Sequence, residues 1–373
     1  MDETPSNPVD PDLHTSPIDL SAAKGKGGLR KFLLAMLPFV LIGGSIGYMV
    51  YKQGPSEIWA SLNEFPKSYL GIALLFLFFD LIADSLRYVT TGAALKTKIG
   101  FIFGFRVVLI NLFAAFITPG AGGAAPAVSW MMGQRGYDTS RGLSIAFIKG
   151  MIGFYVFVPL AAVLAIYAPD SVIGNELIRG VLITSCVGLS VILTIVMCVA
   201  IWPKFFAEQV VGRIFGGLGK SLKKARTKGK LYQIGRFFNW LDRILQETAQ
   251  DFGAFLRGPF LWVLGSFVTT ILNIGILMTI AFLLAMSRQL APGVTTFDVA
   301  IVSMLMVVLA FTSPTPGGAG IAELGGEAMF DQVLANTGDA IAVVLIWRTF
   351  TCYLPFMMGA FVFSREVQRA AES

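Results

Sequence analysis

Thr312–Glu327, which reads TSPTPGGAGIAELGGE, decides the fold. It lies inside apolar sequence, with Phe297–Phe311 before it and Ile341–Phe363 after it. Two prolines and three glycines within Pro314–Gly320 stop a helix. Proline has no backbone N–H to donate, and glycine costs about 1 kcal/mol against alanine in a helix interior. In hydrocarbon each freed N–H or C=O costs several kcal/mol, so such a break must be packed in protein or line a wet cavity. Glu323 and Glu327 follow it one turn apart, on one face of a short helix. A surface loop between two spans is the alternative reading.

A second copy argues against the plain loop. Thr118–Ala124 reads TPGAGGA, close in composition to Thr315–Gly320, TPGGAG. It too ends an apolar helix, Phe101–Ile117, and precedes a short apolar return, Ala125–Gly133. Two Gly/Pro-broken segments in corresponding halves of a chain point to a transport site. Neither break has the Gly-Lys-Ser/Thr of a phosphate loop.

The chain has 373 residues, 55% of them apolar and only 14% charged, with 31 phenylalanines and a mean hydropathy of +0.71. That composition belongs to a polytopic membrane protein rather than a soluble domain. The one histidine, His14, falls in the polar N-terminal stretch, which excludes histidine chemistry within the bundle. Cys186, Cys198 and Cys352 sit in apolar spans without CxxC spacing and read as packing residues. No metal site or cofactor is expected.

Residues 1–31 read as a disordered tail ending in the basic cluster Lys24, Lys26, Arg30 and Lys31, and not as a cleaved signal peptide. Full spans are predicted at Phe32–Tyr51, Tyr69–Thr90, Gly142–Ala168, Leu177–Trp202, Pro259–Met286 and Ile341–Phe363. Asp80, Asp84 and Arg87 share a stripe of the second span and form a candidate charge network. Lys149 lies close enough to a span end to snorkel. The 203–258 insert carries eleven Lys or Arg against four Asp or Glu and reads as basic amphipathic helices on an anionic inner leaflet. A nucleic-acid partner is not expected, and a homo-oligomer stays open.

Seventeen residues nearly cross a hydrocarbon core of about 30 Å, but a nine-residue return does not. Both breaks therefore read as re-entrant hairpins, 101–133 and 297–334. With six full spans, both termini fall in the cytoplasm together with the basic loops, and only Arg288 is misplaced, with Asp298 near it. The halves 32–170 and 177–363 then form an inverted-topology repeat, and 364–373 is a polar cytoplasmic tail. The predicted fold class is an all-α polytopic membrane protein with about six transmembrane helices and two broken hairpins.

Pro314, Pro316, Gly317, Gly318, Gly320 and Glu323, followed by Arg348, Tyr353 and Pro355, resemble the signature of flippase-like membrane proteins. These are related to the transmembrane region of lysylphosphatidylglycerol synthases of the multiple-peptide-resistance type. The similarity covers roughly 32–363. Where that family carries an acid in the first hairpin, this chain has Gly122, Gly123 and Ala124. The resemblance implies a bacterial cytoplasmic-membrane protein that moves a phospholipid between leaflets, either aminoacylated phosphatidylglycerol or an isoprenoid-linked lipid. The soluble aminoacyl-transferase domain of the full synthases is not expected after Ser373, so the expectation is a carrier and not an enzyme.

On that reading Arg348, with Arg106 and Lys149, pairs the phosphate, because a guanidinium fork bonds two oxygens. Glu323 and Glu327 pair a cationic headgroup or exchange a proton. Tyr353 and Asn111 join the substrate-binding set, with the break residues Pro316, Gly317, Gly318, Gly320, Pro119, Gly120, Gly122 and Gly123. Two other functions fit the same sequence: an ion-coupled carrier of a small polar solute, and an accessory subunit of a lipid-modifying membrane enzyme.

Overall fold

The computed structural model describes residues 28–168, 176–201, 248 and 250–372. The predicted N-terminal tail, the short acidic loop after Ala168 and most of the basic 203–258 insert lie outside the described residues. The chain divides at Leu37. Of the first unit only 28–37, the opening turns of one helix, are described. The second unit, Pro38–Ser373, carries the rest of that helix and all the later elements.

Among the described residues every regular element is helical. In chain order these are α1 (Gly28–Gln53), α2 (Pro55–Asn63), α3 (Lys67–Ala94), α4 (Phe101–Ile117), α5 (Ala124–Gly133), α6 (Thr139–Tyr167) and α7 (Glu176–Ile201). They continue with α8 (Phe260–Met286), α9 (Thr296–Thr312), α10 (Ile321–Phe330), α11 (Thr337–Arg348) and α12 (Leu354–Glu372). Among the described residues four helices are long and apolar enough to cross a membrane: Lys67–Ala94, Thr139–Ile166, Phe260–Met286 and Thr337–Glu372. At a rise of about 1.5 Å per residue each exceeds a hydrocarbon core of about 30 Å.

One motif occurs twice. α4 has 17 residues, a three-residue 3₁₀ turn Pro119–Ala121 follows, and α5 has 10. α9 has 17, the turn is Pro316–Gly318, and α10 has 10. Ten residues reach about 15 Å, half of a bilayer core.

The burial pattern is that of a protein dissolved in lipid. On α3 the large apolar residues Ile72, Leu75, Phe78 and Phe79 are exposed while Asp80, Asp84 and Arg87 are buried. On α8, Leu261, Val268 and Ile271 are exposed while Ser266, Thr270 and Asn273 are buried. Water reverses this order; hydrocarbon imposes it, since a charge or amide facing acyl chains has no partner. The polar faces of α3 and α8 close on each other in the most extensive helix contact. α4 packs on α12, α5 on α6, and α10 on α11.

Three details differ from the sequence reading. Between the first two predicted spans, where the sequence reading places no helix, Pro55 opens the nine-residue α2, which packs on α11. The polar tail after Phe363 continues α12 to Glu372. Arg288, placed on the wrong side by charge counting, is ion-paired with Asp339 at the start of α11 and donates to the Ser61 and Glu64 carbonyls. Asp298 is not its partner; it makes a capping box with Thr295 at the start of α9.

The last span is not a continuous α-helix. Thr349–Tyr353 forms one π turn between α11 and α12. Pro355 sits two residues beyond it and has no N–H for an i→i−4 bond, which favours a wider turn just ahead.

Candidate functional site

The second break is built on left-handed glycines. Gly317 and Gly318 have φ of +58° and +73°. A Cβ on Gly317 would lie 2.6 Å from the Phe116 ring, and one on Gly318 would lie 2.9 Å from the Ala310 carbonyl oxygen. Both conformation and space therefore demand glycine. The turn buries Pro316, Gly318 and Ala319.

A buried ion pair locks this turn. Glu323 is fully buried and Arg348 is 3% exposed. The Arg348 Nε donates to Glu323 Oε1 at 2.7 Å, and its Nη2 donates to the Gly317 carbonyl at 2.7 Å. Tyr353 adds its hydroxyl to the same Oε1 at 2.9 Å. The other carboxylate oxygen accepts the Gly320 N–H at 2.6 Å, closing the first turn of α10. Glu323 thus accepts from three donors, and Arg348 ties the helix after the break to the carbonyl within it. A buried pair of this kind holds only with such full hydrogen bonding.

The two breaks touch. The Gly120 N–H donates to the Pro314 carbonyl at 3.0 Å, and Phe116, one turn before the first break, supports Gly317. The first break is held by Thr118, whose hydroxyl donates to the Ala114 carbonyl and accepts the Gly123 N–H at 2.9 Å. Pro119, Gly120 and Gly122 are exposed, whereas the second break is mostly packed in protein. Space is open beside Gly120, where a Cβ would meet nothing within 4 Å. Glu327, one turn after Glu323, is 4% exposed and paired with Lys52 of α1 at 2.8 Å.

A separate polar network lies between α3, α6 and α8. Asp84 accepts from Arg87 at 2.8 Å and from Lys149 at 2.8 Å. Arg87 also donates to Asn273, Thr270 and the Lys149 carbonyl. Asn273 in turn donates to Asp80 at 2.6 Å. Lys149 stands 4.2 Å from the centre of the Tyr88 ring, and the Tyr88 hydroxyl donates to Asn111 at 3.1 Å. Lys149 is buried inside this network and does not snorkel. Two acids and two bases balance, yet the cations crowd on Asp84 and leave Asp80 with an amide partner.

The sequence candidates therefore fall in different places. Arg348, Glu323, Tyr353, Gly317, Gly318 and Gly320 gather at the second break, with Pro119, Gly120, Gly122 and Gly123 alongside. Lys149 belongs to the α3–α6–α8 network, with Asn111 at its border, and Arg106 reaches Glu366 of α12 instead. Arg106 and Lys149 do not join Arg348 around one phosphate. Asp80 and Asp84 likewise belong to a different polar cluster from Glu323 and Glu327. Sequence reasoning missed Thr270, Lys52, Tyr88 and Glu366 as partners. Asn273, alone in an apolar span, was the one with a visible signal.

Comparison with known proteins agrees with this architecture. A protein of Archaeoglobus fulgidus described as a UPF0104 membrane protein is 20% identical over 322 residues, covering 86% of this chain and 94% of that one. The family described as the lysylphosphatidylglycerol synthase transmembrane region matches residues 35–359. That span contains both broken segments, the Arg348–Glu323 pair and the α3–α6–α8 network, and it makes this multi-pass membrane protein a member of the lysylphosphatidylglycerol synthase transmembrane-region family.

Proposed function

We propose that the protein is a lipid translocator that moves a phospholipid between leaflets, aminoacylated phosphatidylglycerol or an isoprenoid-linked lipid being the substrate class that the family suggests. The observation that carries this reading is the Gly120–Pro314 backbone hydrogen bond, which joins two broken segments with open space beside the exposed one. Broken backbone at membrane depth that is not packed in protein needs water or a polar ligand. A groove beside it would take a headgroup while acyl chains stay in lipid. The protein acts as a carrier without bond-making chemistry, and the two halves work as an inverted repeat whose hairpins enter from opposite sides. It sits in a bacterial cytoplasmic membrane with both termini inside.

The test is reconstitution in vesicles of phosphatidylglycerol and phosphatidylcholine with a headgroup-labelled phosphatidylglycerol in both leaflets. Reduction of the label by an impermeant reagent should proceed beyond half in protein-containing vesicles and stop at half in empty ones. Equal plateaus would sink the translocator.

A second reading, an ion-coupled carrier of a small polar solute, is favoured by the buried α3–α6–α8 network. Charges kept inside a membrane protein commonly mark ion or proton paths. Saturable uptake of a solute driven by a pH gradient, with no lipid movement, would move it to the front.

A further inference from the structure

We propose that the cleft between the start of α4, the end of α5 and the end of α12 is a phosphate-recognition site for an anionic lipid headgroup, the lipid assignment resting on the translocator reading above. The cleft has a volume of about 470 Å³ and is lined by Arg106, Gln134, Arg135, Glu366 and Arg369. Its floor is Glu366, which is 5% exposed. Both Glu366 oxygens accept from Nη2 of Arg135 at 3.2 Å, and Arg369 Nη1 donates to Oε1 at 3.0 Å. Arg106 Nη1 stands 3.6 Å from that oxygen.

Three guanidinium groups thus converge on a single carboxylate, and among the described residues no second acid pairs with this cluster, which leaves it an excess of two positive charges. The arginine side chains are 39%, 39% and 55% exposed, so their remaining N–H groups are available to the cleft. Glu366 holds the three forks in place before any ligand arrives. A phosphate matches such forks because each can bond two oxygens in plane.

Helix dipoles do not account for the cluster. Arg135 and Arg369 lie at the C-terminal ends of α5 and α12, where a cation is favourable, but Arg106 lies in the second turn of α4, where it is not. The third arginine is brought there against the dipole by the α4–α12 packing.

The surroundings favour a lipid over a free ion. Phe363, one turn before Glu366, stacks on Phe113 at 5.2 Å and lies 5.5 Å from Trp130. The seam continues through Phe356, 5.4 Å from Phe113 and 4.3 Å from Phe116, to Tyr353, which bonds Glu323. An aromatic track between α4 and α12 therefore joins the cleft to the second break. An acyl chain can lie against such a track while its phosphate occupies the arginines. The excess charge selects against a headgroup that carries its own cation, so of the two substrate classes named above it favours an isoprenoid-linked phosphate over an aminoacylated phosphatidylglycerol.

The test measures binding to the full-length protein in mild detergent, using dihexanoyl phosphatidylglycerol, dihexanoyl phosphatidylcholine and inorganic phosphate. Arg135→Gln with Arg369→Gln is compared with Arg365→Gln, which removes a charge from the same helix outside the cleft, where Arg365 covers Phe361. Saturable phosphatidylglycerol binding should weaken at least tenfold in the double variant and be unchanged in Arg365→Gln. Phosphatidylcholine should bind at least tenfold more weakly, and inorganic phosphate should compete only at much higher concentration. If the double variant fails to fold, Arg369→Gln alone, at an exposed side chain, should weaken binding at least threefold.

Equal binding by wild type and the folded variants overturns the site, as does an equal loss in Arg365→Gln. Inorganic phosphate that displaces the lipid at equal concentration overturns the lipid assignment and leaves a free-anion site. Lipid movement by the wild type with binding untouched by the variants refutes the cleft but not the translocator. Arginine-dependent binding with no lipid movement does the reverse.

Discussion

Arg348 and Tyr353 are five residues apart, and both donate to the same oxygen of Glu323, at 2.7 and 2.9 Å. In a regular α-helix, at 3.6 residues per turn, side chains five apart point about 140° away from each other. The π turn Thr349–Tyr353, closed by the Leu354 N–H on the Thr349 carbonyl, brings them back to one side. Such turns recur at functional positions in helices. Here the turn lets one helix grip a carboxylate from above and below.

The first prediction follows from that grip. Arg348→Ala leaves Glu323 charged and buried with only Tyr353 and a backbone N–H, and should cost on the order of 3–5 kcal/mol of stability. Glu323→Gln in the same chain removes the stranded charge and should recover more than half of the loss. Thermal melting in detergent of both single variants and the double variant measures the coupling. Additive losses would mean that the pair does not hold the break.

The glycines of the two breaks should answer differently to the same change. Gly317→Ala forces a Cβ into Phe116 at a φ of +58° and should lower stability by at least about 2 kcal/mol from strain and overlap together. Gly120→Ala has a similar φ of +56° but open space, and should cost only about 1 kcal/mol. Phe116→Leu should relieve part of the first loss and none of the second. Melting temperatures of the three single variants and the two double variants decide it.

The break itself was legible in the sequence because Pro and Gly act locally: a missing donor and a permissive φ need no partner to be recognised. Glu323, Arg348 and Tyr353 were found through the family pattern, and the polar stripe of α3 through its i, i+4, i+7 spacing. The partners were not legible. Asn273 reaches Asp80 across 193 positions of chain, and Glu366 sits in a polar segment where any acid looks like a solvated one. Lys149 was read as a snorkelling cation because distance from a span end is visible in sequence, whereas the pull of Asp84 depends on how α6 packs on α3. The π turn left only Pro355 as a hint. Nearest-neighbour chemistry determines where a chain breaks; which charges then meet is decided by helix packing.

In the α3–α6–α8 network the two aspartates should be unequal. Asp84 takes both Arg87 and Lys149, so Asp84→Asn leaves two buried cations short of a counter-ion and should cost on the order of 3–5 kcal/mol. Asp80 has Asn273 as its hydrogen-bond partner, so Asp80→Asn should change stability by no more than about 1 kcal/mol. If the network also serves transport, Asp80→Asn should lose activity while keeping its melting temperature. A matching fall in both variants would show that the two acids share the cations.

The inverted repeat makes a prediction about sides. If α4–α5 and α9–α10 are hairpins entering from opposite faces, then Gly136, just after α5, and Asn336, just before α11, open to different compartments. Gly136→Cys should be labelled by an impermeant thiol reagent only from the cytoplasmic face, and Asn336→Cys only from the outer face. The background is a chain with Cys186, Cys198 and Cys352 replaced by Ser or Ala. Inverted vesicles and intact cells supply the two orientations. Labelling of both positions from one face would mean that the second broken segment crosses the membrane once instead of returning. The two halves would then no longer repeat the same span, span, hairpin, span pattern, and the charge count that places both termini inside would fail. The Gly120–Pro314 hydrogen bond would remain, but it would join two loops on one side rather than two hairpins at the midplane.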